Sequence, residues 1–128
     1  MVDVHIVVVN VIVNTESVMN NLTKTEFMKI YNEGKNLTDK PIFITFYASW
    51  WGPCKMFEQV LNEVTPDYTG KIDMYKVNIE EEPDMAVMFG ARGIPYMVFI
   101  SKDGDVSTEA GSMTQDQLKY YLEGLISK

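Results

Sequence analysis

Residues 41–47, PIFITFY, form an unbroken apolar run dense in β-branched and aromatic side chains. A strand with one wet face alternates polar and apolar residues, so a run without alternation has to be covered on both faces. Six residues later Pro53 suits the first turn of a helix, where its missing N–H leaves no donor unpaired. A buried central strand feeding a helix through the short turn ASWWG confines this chain to an α/β architecture. With 128 residues it fits one domain around a single core.

Further elements follow from capping and periodicity. Thr23 and Glu26 form a capping box, and Leu22 with Phe27 forms a hydrophobic staple. These predict a helix to about Glu33, with Phe27, Ile30 and Tyr31 inward and Gly34 as the stop. Met56, Phe57, Val60, Leu61 and Val64 mark the buried face of the helix that Pro53 opens, which Pro66 bends or ends. Residues 72–78 read as a strand, Pro83 to Phe89 as a short helix broken by Gly90 and Gly93, and Tyr96 to Ile100 as another strand. The turn KDGD at 102–105, with Gly104 at positive φ, leads into a strand over 106–109. Thr114 and Gln117 repeat the capping box and Met113 with Leu118 the staple. Leu118, Tyr121, Leu122 and Leu125 face inward on this last helix. The order β, α, β, α, β, α, β, β, α predicts a mixed sheet between helices.

The first β in that order is residues 4–13, VHIVVVNVIV. Asp3 precedes this run and no basic residue occurs before Lys24, so it does not read as a secretory signal. It is too short to span a bilayer, and its β-branched density reads as a strand. Residues 1–21 are therefore expected to be a strand and a polar loop (14–21) ahead of a domain at 22–128. As an uncovered edge, the strand could also pair two chains; a monomer is otherwise expected.

A net charge of −7 without a Lys/Arg cluster argues against nucleic acid and anionic membrane as partners. One cysteine excludes an internal disulfide and leaves the compartment open: cytoplasmic or, with a processed N-terminus, extracytoplasmic. His5 and Cys54 do not make a zinc site, and neither a metal nor a cofactor is expected. Nine methionines, such as Met56 and Met97, read as core filling, and Glu80-Glu81-Glu82 as a solvated loop. Asn21-Leu22-Thr23 and Asn36-Leu37-Thr38 match the glycosylation pattern, which is common by chance.

The remaining motif is YASWWGPCK at 47–55. Residues 22–127 resemble the thioredoxin family: WWGPCK stands at 50–55 where the family has WCGPCK. Gly93-Ile94-Pro95 matches its Gly-Ile-Pro loop, whose proline is cis and faces the active site. Lys76-Val77-Asn78 matches its central-strand Lys-x-Asn, and Gly111-Ser112-Met113 lies where its substrate groove has Gly-Ala-Leu. The resemblance implies a thioredoxin fold, a mixed β-sheet flanked by helices, with residues 1–13 outside the core match as an added N-terminal strand.

Two departures bear on activity. In the family a first cysteine attacks the substrate disulfide and a second resolves the mixed disulfide. Trp51 holds the attacking position, and an indole has no nucleophilic sulfur. The family's buried Asp, base for the resolving thiol, is Thr45 here, which also removes the expected charge partner of Lys76. Losing both groups points to relaxed or redirected selection.

Cys54 is then a residual catalytic candidate, its thiolate favoured by a helix N-terminus, or a thiol shielded beneath Trp51. The shielded reading is preferred, because a lone resolving thiol does not complete a dithiol cycle. Trp51 is read equally as an exposed anchor and as a plug in the old site, Trp50 as packing on the domain, and Tyr96 as filling space beside Trp51. The preferred function is a binding protein that holds an extended peptide or protein segment. Its groove would comprise Trp50, Trp51, Gly52, Pro53, Ile94, Pro95, Tyr96 and Gly111. The alternative is a thiol-disulfide oxidoreductase using Cys54 alone or carrying Trp51 as an introduced change.

Overall fold

The computed structural model describes residues 19–128. The elements are β1 (Asn20–Asn21), α1 (Lys24–Ile30), β2 (Tyr31–Asn32), β3 (Lys35–Asn36), β4 (Ile42–Tyr47) and α2 (Gly52–Val64). A 3-10 turn at Thr65–Tyr68 precedes β5 (Asp73–Asn78), α3 (Pro83–Phe89), β6 (Tyr96–Ile100), β7 (Val106–Ala110) and α4 (Gln115–Ser127). The sheet runs β1-β5-β4-β6-β7, with β1 and β4 parallel to β5, β6 antiparallel to both β4 and β7.

The apolar run 42–46 is fully buried in the middle of this sheet, as its lack of alternation demands. Its residues divide by parity between two cores, because successive side chains in a strand point to opposite faces. Phe43 joins Met74, Met97 and Phe99 beneath α2 and α4, through Phe57, Leu61, Val64, Leu118, Leu122 and Leu125. Ile42, Ile44 and Phe46 join Val77, Val98 and Ile100 beneath α1 and α3, through Phe27 and Met85. Thr45 lies on the first of these faces, paired with Lys76 of β5 on one side and Met97 of β6 on the other.

Both capping boxes form: Thr23 with Glu26 opens α1, and Thr114 with Gln117 opens α4. Several expectations are corrected. The expected strand at 4–13 lies outside the described residues. The polar stretch taken as loop includes β1, whose Asn20 and Asn21 pair with Tyr75 and Lys76 while Leu22 N–H donates to the Lys76 carbonyl at 2.9 Å. Two asparagines have poor strand propensity; the free edge of β5 overrides it. Helix α1 stops at Ile30, before the expected Glu33, because Glu33 (φ 51°) and Gly34 (φ 76°) turn the chain back into the β2-β3 hairpin.

Met56 is 72% exposed rather than core. The buried positions of α2 are Cys54, Phe57, Leu61 and Val64, spaced three, four and three apart. Met56 lies one residue, about 100°, off that stripe. The glutamate loop is only partly solvated: Glu82 Oε1 accepts the Lys24 backbone N–H at 2.7 Å and so ties α3 to the start of α1. Asn36 is used structurally, its amide donating to the carbonyls of Lys40 (2.7 Å) and Ser101 (3.1 Å).

Candidate functional site

Helix α2 begins directly after the central strand, so its N-terminus sits at the end of the sheet. Trp51 is its N-cap and contributes no side-chain cap; its carbonyl accepts the N–H groups of Cys54 (3.1 Å) and Lys55 (3.2 Å). Trp51 N–H in turn donates to the Ala48 carbonyl at 3.2 Å, closing the turn from β4 into the helix. Pro53 stands in the first turn, where no donor is lost.

Helical spacing decides the cysteine. Cys54 is three residues before Phe57 and seven before Leu61, on the inward stripe, and only 7% of it is exposed. Burial pushes its thiol pKa up, and a backbone hydrogen bond at Ala48 acts in the opposite direction. Desolvation is the larger of these two effects, and it favours the protonated sulfur.

The tryptophans do the reverse. Trp50 is 62% exposed and Trp51 41%, with their rings edge-to-face at 5.8 Å between centroids. The expectation that Trp50 packs on the domain is therefore corrected. The residues before α2 form a turn outside both cores, with no inward stripe to receive a second indole.

On the other side of the site the Ile94–Pro95 peptide bond is cis, Pro95 is buried and Ile94 is partly exposed. The Pro95 carbonyl accepts the Gly111 N–H at 2.8 Å, which holds the end of β7 against this loop. Gly111 has φ 91°, a conformation natural to glycine. Tyr96 points into the core, against Phe46 at 6.0 Å, and its hydroxyl donates to the Phe89 carbonyl at 2.8 Å. It supports the groove from below instead of lining it. Pro95 and Cys54 face a common pocket, while Trp50, Trp51, Gly52 and Pro53 are exposed at the mouth of α2.

That pocket, about 80 Å³, lies beneath Cys54. Its lining includes Thr45, Tyr47, Glu58, Lys76 and Pro95, above Met19, Phe57 and Leu61. Lys76 Nζ sits 5.8 Å from the centre of the Tyr47 ring, and the Tyr47 hydroxyl donates to Asn21 Oδ1 at 3.2 Å. Burial, then the nearby Glu81, raise the Tyr47 pKa, so its phenol stays neutral. Among the described residues no group of three or more His, Cys, Asp and Glu side chains is placed to hold a metal ion, and no helix is long and apolar enough to cross a membrane.

The parallel-plus-antiparallel sheet, two helices on each face, and a cysteine at a helix start opposite a cis-proline define a class of α/β protein built for thiol chemistry. The chain belongs to the thioredoxin family, whose model matches residues 17–124. It is 42% identical over 89 residues to a thioredoxin of Pseudomonas aeruginosa, covering 69% of this chain and 82% of that one. To a thioredoxin of Haemophilus influenzae it is 35% identical over 85 residues, covering 66% and 79%. Among solved structures, that of chloroplastic thioredoxin z matches with a TM-score of 0.72 at 21% identity, covering 86% of this chain and 96% of that one, a likeness of fold.

Proposed function

We propose that this chain is a thioredoxin-family protein that binds an extended peptide or protein segment and has little or no disulfide reductase turnover. The observation that carries the reading is the division of labour at the start of α2. The one thiol is buried and held protonated, and two indoles take the exposed positions beside it. Dithiol exchange requires an accessible thiolate and a second thiol to release the mixed disulfide; the sequence supplies one thiol.

The exposed parts of Trp50 and Trp51 amount to roughly 250 Å² if a whole tryptophan side chain contributes ~250 Å². Covering them is worth about 6 kcal/mol at ~25 cal/mol per Å², before the cost of ordering both partners. That is a large share of what anchoring a peptide without covalent capture requires, the rest falling to the other walls of the groove. Ile94, Pro95 and Gly111 form the opposite wall, and Gly52 and Pro53 the near one.

A second reading is supported by Cys54 also lining a hollow with Ser49, Lys55 and Gln59. Through it the thiolate would attack a small disulfide, one thiol would leave, and an external thiol would release the adduct. Turnover separates the two. Reduction of a protein disulfide with dithiothreitol as donor should stay within a few-fold of the rate with dithiothreitol alone. A rate near that of an intact dithiol thioredoxin overturns the binding reading.

A further inference from the structure

On the sheet side of the pocket beneath Cys54, two neighbouring polar groups are left unused by the fold. Thr45 is 3% exposed, yet its hydroxyl makes no hydrogen bond to any described residue and the side chain lines the cavity. Among the described residues no buried side-chain oxygen or nitrogen is sealed off without a partner, so this hydroxyl is reachable from the pocket. Lys76, its direct neighbour across the β4-β5 register, lines the same cavity and takes part in no ion pair among the described residues. Its contact there is the face of the Tyr47 ring. The hydroxyl and the ammonium thus belong to paired residues on one sheet face and line one cavity with the apolar Met19, Phe57 and Leu61.

We propose that this pocket is a binding site for a small monocarboxylate, its two oxygens taken by the Lys76 ammonium and the Thr45 hydroxyl and its short alkyl group resting on the apolar floor. The volume fits: about 80 Å³ is several times the ~10–15 Å³ that one water requires. The described lining carries one positive charge, Lys76, and one negative, Glu58, so a carboxylate is taken at the Lys76 end. Glu58 also lines the cavity, but its side chain belongs to an exposed position of α2 and forms no ion pair with Lys76. With one cation against a net charge of −7, binding is weak, in about the millimolar range. The site does not depend on peptide binding in the groove above it.

The test is a titration of the full chain with sodium acetate, against sodium chloride at matched ionic strength, followed by backbone amide NMR. Saturable shifts centred on Thr45, Lys76 and Cys54 with acetate and not with chloride are expected. Lys76→Met should weaken acetate at least tenfold. Thr45→Asp, which supplies a carboxylate from the chain itself, should abolish binding. Thr45→Val keeps the shape, and should weaken it several-fold. Equal shifts with chloride overturn the proposal, as does acetate affinity unchanged in Lys76→Met. The latter variant breaks no ion pair among the described residues, and its urea unfolding midpoint checks that it is folded.

Discussion

Replacing Gly104 by alanine adds one methyl group where the backbone leaves no room. Gly104 has φ +98°, and a Cβ there would lie 2.2 Å from the Gly34 carbonyl oxygen and 3.0 Å from Lys35 Cα. Both are main-chain atoms of the β2-β3 hairpin, so no side chain can swing aside. Positive φ costs a residue with a Cβ about 1–2 kcal/mol, and forced overpacking about 1–3 more. Moving the two segments apart also loosens the bond from the Tyr31 hydroxyl to the Gly104 carbonyl, 2.9 Å long and worth about 1 kcal/mol. The total is about 4 kcal/mol, a large share of a typical folding stability. Urea denaturation should show the midpoint falling by about 2 M at a slope of ~2 kcal/mol per M. Two other glycines isolate the terms. Gly70 has φ +88° with nothing within 4 Å, so Gly70→Ala carries the backbone strain alone, about 1 kcal/mol. Gly124 lies within α4 with open space around it, and Gly124→Ala should stabilise by about 0.5–1 kcal/mol. Equal losses in Gly104→Ala and Gly70→Ala would refute the steric argument.

In the groove, Trp50→Ala and Trp51→Ala should each weaken binding of an extended peptide by about tenfold or more, read by fluorescence anisotropy, with unfolding midpoints almost unchanged because both rings are exposed. Trp51→Cys should restore partial disulfide reduction, and adding Thr45→Asp should raise the rate further; full recovery from Trp51→Cys alone would refute the role given to Thr45. Tyr68 donates to Glu123 Oε2 at 2.7 Å, and burial, then that carboxylate, push its pKa to about 12. The neutral phenol is therefore favoured in the fold. Its contribution is complete below pH ~10 and lost as pH rises through about 12. Tyr68→Phe should lower stability by about 1 kcal/mol at neutral pH and flatten that alkaline loss, measured by urea titrations from pH 8 to 12.

Local signals read well wherever one element settles them. Thr23 with Glu26, and Thr114 with Gln117, announce their helices because a cap is satisfied within four residues of chain. The run at 41–47 announces a central strand because nothing else tolerates apolar side chains on both faces. Cys54 is expected to be shielded because a lone resolving thiol completes no dithiol cycle, and the structure supplies the physical cause, a helical stripe shared with Phe57 and Leu61.

Where the answer depends on a neighbour distant in sequence, the reading failed or stayed open. Asn20 and Asn21 are a strand only because β5 offers an unpaired edge beside them. Trp50 is exposed and Tyr96 buried, an assignment that apolar character does not make, since both rings are apolar and only the arrangement of the two cores distinguishes them. Glu82 in a run of acids becomes a cap for α1 across 58 residues.

The amino-acid order by itself determined the periods, caps and turns, and the presence of one thiol where exchange chemistry needs two. Tertiary structure decided which aromatic rings face solvent and how Thr45 and Lys76 meet beneath Cys54. Sheet register and layer packing bring together residues that no local spacing links.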